Sequence, residues 1–290
     1  MNQLPHNKLP PFIHQEGDQL WLVDREEDSV KVGYRIEEII YSEQSEFQHV
    51  MVCKNPTFGR MLVLDGIVQT TANDGYIYNE MITHVPLAYH PDPKRVLIIG
   101  GGDCGAAREI CKYEHVEQID MVEIDETVVR VCREHLPEVS GKLDDPRVRF
   151  IFEDGVKFAA KSEPVYDVII VDSSDPIGPA VQLFELDFYR NLHNALKPGG
   201  ILVCQTESPV FHWDVLNRSY SNIRSLFAET KLYTAVVPTY PGGFWSFTMG
   251  LKSGYGEFKV QRELPETRYV NADILKNCFE LPNFIANRLK

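Results

Sequence analysis

The chain has 290 residues, 43% of them hydrophobic and 24% charged, which is the balance of a folded globular protein. Its formal net charge of −13 argues against binding to nucleic acid or to anionic membranes, whereas a cationic small molecule would be attracted. No apolar run approaches the roughly 20 residues of a membrane span, and six cysteines without a Cys-x-x-Cys pair suggest reduced thiols. We therefore expect a cytoplasmic protein without a metal site.

Residues 1–70 are predicted to form a small antiparallel β-domain. Residues 1–19 lack an apolar segment and are expected to be a flexible lead-in. Beyond them, short apolar stretches, including one long strand over residues 32–44, alternate with tight turns such as Asp65-Gly66. Strand-like patterning then gives way to helical spacing, and we place the domain boundary there.

Residues 71–290 are predicted to form an α/β domain with a doubly wound sheet of the class I methyltransferase-like (Rossmann-like) type. The fully apolar run over residues 95–100 is typical of a strand buried on both faces of a parallel sheet. Further apolar runs alternate with helical segments, as in βαβ units. Two apolar segments around the turn at 241–243 predict a terminal antiparallel hairpin. The helices are predicted at residues 76–87, 105–113, 126–135, 186–196 and 215–227.

A glycine-rich loop follows the first buried strand and opens a helix. Residues 100–105 match Gly-x-Gly-x-x-Gly, so Gly100 and Gly102 are candidates for contact with a nucleotide. A pyrophosphate seeks backbone N–H groups at a helix N-terminus, and the carboxylate of Asp103 works against it. The loop therefore favours a sulfonium-bearing nucleoside over the alternative of a nicotinamide dehydrogenase. A third interpretation is that the glycines only permit a tight turn.

Four successive strands are predicted to end at a carboxylate, and these are Asp103, Glu123, Asp154 and Asp172. The carboxyl ends of parallel strands share the edge of the sheet at which ligands bind. An acidic side chain at the position of Glu123 accepts hydrogen bonds from ribose hydroxyls. Any one of the four could instead cap a helix, but together they predict a site for a positively charged ligand.

The sequence resembles the spermidine synthase family, the polyamine aminopropyltransferases, from about Tyr34 onwards. The resemblance rests on several blocks in the family's order: SEFQH, FGRMLVLDGIVQTT, IYNEMITHVPL, HPDPKRVLIIGGGD, GKLDDPRV, YDVIIVDSSDPIGPA and PTYPGG. It implies transfer of an aminopropyl group from decarboxylated S-adenosylmethionine to a diamine, with putrescine as the expected acceptor and spermidine and methylthioadenosine as products. Decarboxylated S-adenosylmethionine would be a co-substrate, so no cofactor is expected. The resemblance also implies a homodimer or homotetramer.

The resemblance further implies roles for individual residues. Asp172 would accept the amine proton, Tyr78 and Tyr240 would complete the catalytic set, and residues 173–183 would form a gatekeeping loop. The amine would be bound by Asp175, Gln205 and Asn79. The nucleoside would be held by Gln48, Gln69, Gly100, Gly102, Asp103, Glu123, Asp154 and Gly155.

Four positions depart from the family pattern. Gly75 stands where Glu is common and Asn79 where His or Gln is usual, and we expect both to reshape the amine pocket. Cys104 replaces a glycine, which puts the loop geometry in question because cysteine adopts a positive φ only at a cost. Leu275 replaces a frequent histidine. These departures leave two alternatives open, an S-adenosylmethionine-dependent methyltransferase and a catalytically inactive polyamine-binding paralogue.

Overall fold

Two antiparallel sheets form the N-terminal part of the computed structural model, which describes residues 9–26, 30–141, 143–176 and 178–289. Apolar side chains from both sheets pack together into one core around Met51. The first sheet consists of β1 (Ile13–Glu16), β2 (Gln19–Glu26) and β3 (Val30–Ile36). The second consists of β4 (Glu38–Gln44), β5 (His49–Asn55), β6 (Gly59–Leu64) and β7 (Ile67–Thr71).

The prediction was wrong at the start of this region. Strand β1 lies within the segment that we expected to be flexible, and its Ile13 pairs with Leu22. Both side chains are buried, so pairing with β2 orders a segment that has little apolar character of its own. The single strand predicted over residues 32–44 is broken at Glu37, where the chain passes from the first sheet to the second. Residues 1–8 lie outside the described residues.

A seven-stranded sheet forms the centre of the remaining chain. Its strands are β8 (Arg95–Gly100), β9 (Gln118–Glu123), β10 (Val148–Phe152), β11 (Tyr166–Asp172), β12 (Leu196–Gln205), β13 (Glu229–Val236) and β14 (Phe244–Leu251). The order is β10-β9-β8-β11-β12-β14-β13, and β14 runs antiparallel to both of its neighbours. This topology confirms the predicted class I methyltransferase-like, Rossmann-like fold with a terminal antiparallel hairpin.

Nine α-helices are found in the described part of the chain, together with a 3₁₀ helix at Gly178–Phe184. They are α1 (Gly75–Tyr89), α2 (Gly105–Cys111), α3 (Glu126–His135), α4 (Pro137–Ser140), α5 (Gly155–Lys161), α6 (Leu186–Ala195), α7 (Trp213–Leu226), α8 (Ala272–Asn277) and α9 (Asn283–Ala286). The five predicted helices correspond to α1, α2, α3, α6 and α7, with ends that differ by at most two residues. Within the described ranges, no helix combines the length and apolar character needed to cross a membrane.

Helices cover both faces of the seven-stranded sheet because side chains alternate along its strands. Val96 and Ile98 of β8 join the core that contains α1 and α2. Leu97 and Ile99, which point the other way, join the core that contains α5, α6 and α7. With both faces covered, the carboxyl edge of the parallel strands is left to carry polar groups.

Candidate active site

A cavity of about 620 Å³ opens at the carboxyl ends of the parallel strands. Strands β8, β9 and β11 end on its wall, and residues of β6 and β7 supply another part of it. Ligands bind at this edge in open α/β sheets. With the exception of Asn79, every residue that we predicted for the site lines the cavity: Gln48, Gln69, Tyr78, Gly100, Gly102, Asp103, Glu123, Asp154, Gly155, Asp172, Asp175, Gln205 and Tyr240.

The glycine-rich loop connects β8 to α2 and packs against the end of β11. Gly100 has a φ of +85°, and a Cβ atom at this position would lie 2.2 Å from the carbonyl oxygen of Asp172. The N–H of Gly101 donates to the same oxygen over 2.8 Å. Only glycine combines this left-handed backbone with so close an approach, so the loop fixes where Asp172 enters the cavity.

Asp172 and Tyr78 form a hydrogen-bonded pair on the cavity wall. The Tyr78 hydroxyl donates to Asp172 Oδ1 over 2.7 Å, and the rings of Tyr78 and Tyr240 meet edge to face with centroids 5.8 Å apart. Burial and then the negative charge of Asp103 raise the pKa of Asp172 to about 8, although the hydrogen bond from Tyr78 opposes the shift. Asp172 is therefore suited to exchange a proton near neutral pH.

Two further carboxyl groups in the cavity have raised pKa values. Burial raises the pKa of Glu123 to about 7, while the N–H of Asp125 donates to Glu123 over 3.0 Å. Burial also raises the pKa of Asp103, and the Gly105 N–H, 2.7 Å away, favours its ionised form. Buried carboxylates are costly to ionise without a partner, so a cationic ligand would stabilise the charged form of this cluster.

Gln48 and Asp154 are held in place by neighbouring polar groups. Gln48 Nε2 donates to Asp125 Oδ2 over 3.1 Å, and the Ser45 hydroxyl donates to the same oxygen over 2.7 Å. Asp154 Oδ1 accepts the N–H of Val156 over 2.9 Å and so caps α5. The capping interpretation therefore holds for Asp154, which also lines the cavity.

Asn79 lies beside Asp103 and not on the cavity wall, so its predicted contact with the amine is corrected. The residue is 1% exposed and packs on Gly105, where a Cβ atom would come within 2.1 Å of Asn79 Nδ2. Asn79 and Thr70 both favour the ionised form of Asp103 as donors. Among the described residues, no group lies within ordinary hydrogen-bonding geometry of the Asn79 amide, so its influence on Asp103 is that of a weak donor.

Gly75 lies beside Thr70 and not on the cavity wall, so any effect on the amine pocket would be indirect. A Cβ atom at position 75 would lie 2.3 Å from Thr70 Oγ1. The missing side chain leaves room for the Thr70 hydroxyl, which favours the ionised form of Asp103 and so lowers its pKa.

The other two departures are accommodated by the fold. Cys104 is buried with a φ of +66°, so the loop keeps a left-handed residue at this position although cysteine replaces glycine. Leu275 is buried in the core on α8, and its carbonyl oxygen accepts the Tyr89 hydroxyl over 3.0 Å. Neither side chain lines the cavity.

The cavity residues that were not predicted from the sequence include Glu207, His212 and Trp245. Glu207 is fully buried, has a φ of +66°, and accepts a hydrogen bond from Gln205 Nε2 over 3.1 Å. His212 Nδ1 lies 3.4 Å from the other carboxylate oxygen of Glu207. The signal in the sequence was the polar Gln-Thr-Glu run at the end of a buried strand.

Comparison with known proteins gives two matching family models. The spermine/spermidine synthase domain matches residues 75–261, and the spermidine synthase tetramerisation domain matches residues 20–72. Together the two models cover most of the chain.

Individual relatives match the chain along nearly its full length. The polyamine aminopropyltransferase of Desulforudis audaxviator is 45% identical, over 93% of this chain and 99% of its own. The spermidine synthase of Thermotoga maritima is 34% identical with a TM-score of 0.85, over 95% of each chain. A spermidine synthase bound to the transition-state analogue AdoDATO is 35% identical with a TM-score of 0.88, over 95% and 96% of the two chains. On this evidence, the chain belongs to the spermidine synthase family.

Proposed function

We propose that the protein transfers the aminopropyl group of decarboxylated S-adenosylmethionine to putrescine, giving spermidine and methylthioadenosine. The observation that carries this proposal is the Asp172–Tyr78 pair, 2.7 Å apart, in a cavity lined by further carboxyl groups, of which Glu207 is fully buried. A site of this kind suits two cationic substrates and a proton transfer. Relatives named polyamine aminopropyltransferase support it, as does the structural relative that binds AdoDATO.

The nucleoside half of the donor would be held at the ends of β8, β9 and β10. Glu123 would accept hydrogen bonds from the ribose hydroxyls, and Gln48, Gln69, Asp154 and the backbone at Gly155 would contact the rest of the nucleoside. The glycines at 100 and 102 allow the ligand to approach the backbone closely. No metal ion or bound cofactor is required for this chemistry.

The aminopropyl half of the donor would extend towards Asp103. Its ammonium group would pair with the Asp103 carboxylate, whose ionised form is favoured by the Gly105 N–H and by Thr70. The carboxylate of ordinary S-adenosylmethionine would meet Asp103 and Asp172 in the same space. Like-charge repulsion in a buried site then explains a preference for the decarboxylated donor.

The transfer would be an in-line displacement at the aminopropyl carbon bound to sulfur. The amine nitrogen forms the new carbon–nitrogen bond, the carbon–sulfur bond breaks, and methylthioadenosine leaves as a neutral molecule. The proton lost by the amine passes to Asp172. An alkylammonium has a pKa of about 10.4, so the raised pKa of Asp172 narrows the gap that this proton must cross.

Tyr78 and Tyr240 would hold the attacking nitrogen, since their rings and hydroxyl groups both suit an alkylammonium. Asp175 lies on the same wall as Asp172. Glu207, fully buried on the cavity wall, would pair with the second ammonium of a diamine, with Gln205 holding its other oxygen. Because a separate carboxylate would be available for each ammonium group, the site would bind a diamine better than a monoamine.

The test is to incubate the purified protein with decarboxylated S-adenosylmethionine and one of four amines: putrescine, cadaverine, agmatine or spermidine. Methylthioadenosine release is followed by mass spectrometry, and D172N serves as the matched control. Release with putrescine, slowed by about 10² to 10⁴-fold in D172N, is the expected result. Methyl transfer from S-adenosylmethionine, or binding without transfer, would overturn the proposal in favour of a methyltransferase or an inactive paralogue.

We also propose that the chain assembles as a homodimer or homotetramer through its N-terminal sheets. The proposal rests on the match of residues 20–72 to the spermidine synthase tetramerisation domain. Light scattering coupled to size-exclusion chromatography measures the mass of the assembly directly. A monomer at micromolar concentration would contradict it.

A further inference from the structure

Tyr240 sits in a turn, and its position is set by bonds to other parts of the chain. The turn connects β13 to β14 and contains Gly242 and Gly243, both with left-handed φ values. The Tyr240 hydroxyl donates to the carbonyl oxygen of Gln69 on β7 over 2.8 Å. A glycine-containing turn is conformationally permissive, so the ring depends on external contacts for its orientation.

The first of these contacts is made by Asp74, which precedes α1. Asp74 Oδ2 accepts the N–H of Thr239 over 2.8 Å and also the Thr239 hydroxyl. Its other oxygen accepts the Thr71 hydroxyl over 2.6 Å. Asp74, Thr71 and Thr239 are all buried, so these bonds are shielded from water.

The second contact comes from the N-terminal sheets. The hydroxyl of Tyr34 on β3 donates to the carbonyl oxygen of Thr239 over 2.5 Å. Tyr34 is also buried. Thr239, the residue before Tyr240, is therefore held at its N–H by Asp74 and at its carbonyl oxygen by Tyr34.

We infer that Asp74 and Tyr34 are positioning residues that fix Tyr240 against Tyr78 and so orient the attacking amine. This inference rests on the proposed function, in which Tyr240 contacts the amine. Tyr240 meets Tyr78 edge to face and packs on Trp245 with ring centroids 4.6 Å apart. Loss of either restraint lets the turn rotate and moves the ring out of this arrangement.

The donor half of the site provides an internal reference. Asp103 and Glu123 enter the cavity from the ends of β8 and β9. The hydrogen bonds that Asp74 and Tyr34 make to Thr239 do not involve either carboxylate. Among the hydrogen bonds of the described residues, the turn is linked to the donor half only through the backbone carbonyl of Gln69, so weakened positioning of Tyr240 should affect the amine and change methylthioadenosine binding little. A general loss of stability would affect both.

The experiment compares Y34F and D74N with the wild type. We measure kcat/KM for putrescine, putrescine binding to the methylthioadenosine complex by calorimetry, and methylthioadenosine binding alone. Loss of one buried hydrogen bond predicts about a tenfold fall in kcat/KM for putrescine. Affinity for methylthioadenosine should stay close to the wild-type value.

Two matched controls separate positioning from folding. Y89F removes a buried tyrosine hydroxyl that donates to the carbonyl of Leu275, and D167N alters a buried aspartate that accepts the N–H groups of Lys94 and Arg95. Neither residue lines the cavity. Both controls should lower the melting temperature while leaving the putrescine parameters unchanged.

If D74N does not fold, Thr239 replaces it in the test. T239V removes the hydroxyl bonded to Asp74 and should reproduce the amine-specific loss, whereas T239S keeps the hydroxyl and should restore wild-type kinetics. Unchanged putrescine parameters in Y34F and T239V would overturn the inference. A parallel loss of putrescine and methylthioadenosine binding in these variants would overturn it as well.

A fluorescence measurement separates failure of the positioning role from failure of the proposed function. Trp245 fluorescence, measured without ligand in a chain whose Trp21 and Trp213 are replaced by Phe, reports the packing of the Tyr240 ring. A wild type without transfer activity would disprove the proposed function alone. Trp245 emission that is identical with and without Y34F would disprove the positioning role alone.

Discussion

At the scale of single residues, the raised pKa of Asp172 predicts the pH dependence of turnover. A base must be ionised to accept a proton, so kcat/KM for the donor should rise with pH through about 8, the value in the empty site. Bound sulfonium and ammonium groups favour the carboxylate, so the corresponding limb of kcat should lie at lower pH. Initial rates across pH 5.5 to 9.5 measure both limbs.

D172N is the control for this pH dependence. Turnover should fall by about 10² to 10⁴-fold, the usual contribution of a positioned base, and the acidic limb should disappear. The folded-state pKa is raised, so the stability of the empty protein is lost progressively as pH rises from the unfolded pKa of about 4 to the folded pKa of about 8. The melting temperature of D172N relative to the wild type should therefore be higher at pH 9 than at pH 6, and higher at pH 6 than at pH 4.

Glu207 predicts how the enzyme distinguishes a diamine from a monoamine. E207Q keeps the shape of this buried side chain but removes the charge that would pair with the second ammonium. KM for putrescine should rise at least about tenfold, as expected for loss of a charge-assisted hydrogen bond, whereas 1-aminobutane should be unaffected. Equal losses for both amines would show that Glu207 does not recognise the far end.

Gly75 and Thr70 can be tested as a coupled pair. G75A places a Cβ atom at the Thr70 hydroxyl, displaces a donor to Asp103, and should raise the donor KM several-fold, by roughly the effect of one hydrogen bond to a charged group. T70A should have a similar effect by itself. In the T70A background, G75A should add nothing, and additive losses across the double-mutant cycle would refute the coupling.

Sequence patterns place residues in the site well where they end a recognisable strand. Asp103, Glu123 and Asp172 were expected at one edge of the sheet, and all three line the cavity. Asn79 was misplaced because it is the helical neighbour of Tyr78, and successive residues on a helix point about 100° apart. Glu207 was missed although it lies in a polar run after a buried strand, because its left-handed backbone is not marked by the glycine that usually occupies such a position.

At the scale of elements, α1 and α2 are joined by a buried ionic network. His84 Nε2 on α1 lies 2.9 Å from Glu109 Oε2 on α2, and His84 Nδ1 lies 2.8 Å from the Tyr113 hydroxyl. Burial raises the pKa of Glu109, but hydrogen bonds from His84 and Lys112 outweigh it and lower the pKa to about 2. The network anchors the helix that follows the glycine-rich loop.

This depressed pKa gives a prediction for stability. A carboxyl whose folded pKa is lowered stabilises the protein above its unfolded pKa, and the contribution disappears as pH falls through about 2. E109Q should therefore lose about 2–4 kcal/mol at pH 7 and much less at pH 3. Urea unfolding at both pH values measures this, with the exposed E114Q as control, and a loss independent of pH would contradict it.

The elements themselves were predicted from the sequence wherever one periodicity dominates. Helix α3 and the hairpin of β13 and β14 have strong patterns that local propensity and burial both support. Strand β1 was missed because its register is set by pairing with β2, and only Ile13 of its four residues is buried. Tertiary pairing of this kind leaves little trace in a local window of sequence.

At the scale of the whole molecule, the net charge of −13 predicts salt-dependent capture of amines. Screening shortens the Debye length from about 30 Å at 0.01 M salt to about 10 Å at 0.1 M. KM for the dication putrescine should therefore rise more steeply with NaCl than KM for the monocation 1-aminobutane. Steady-state kinetics from 10 to 200 mM NaCl test this, and equal salt slopes would assign the charge to solubility alone.

The carboxylates at one edge of the sheet predicted a cationic ligand from the sequence alone, but not the length of that ligand. In the proposed function, the length of the amine would depend on the distance between Asp172 and Glu207, which come from β11 and from the segment after β12. No local pattern encodes how far apart two loops on neighbouring strands stand. The class of substrate follows from composition and motifs, whereas the choice of amine depends on tertiary structure.

The bonds around Thr239 have a consequence for recombining domains between enzymes. The short connection between β7 and α1 is an attractive crossover point for chimeras, because it separates the N-terminal sheets from the larger domain. A crossover there would take Tyr34 and Thr239 from different parents, although the Tyr34 hydroxyl donates a hydrogen bond to the Thr239 carbonyl oxygen. The N-terminal sheets are thus not an exchangeable module, and a functional graft must carry the matching turn at the far end of the chain.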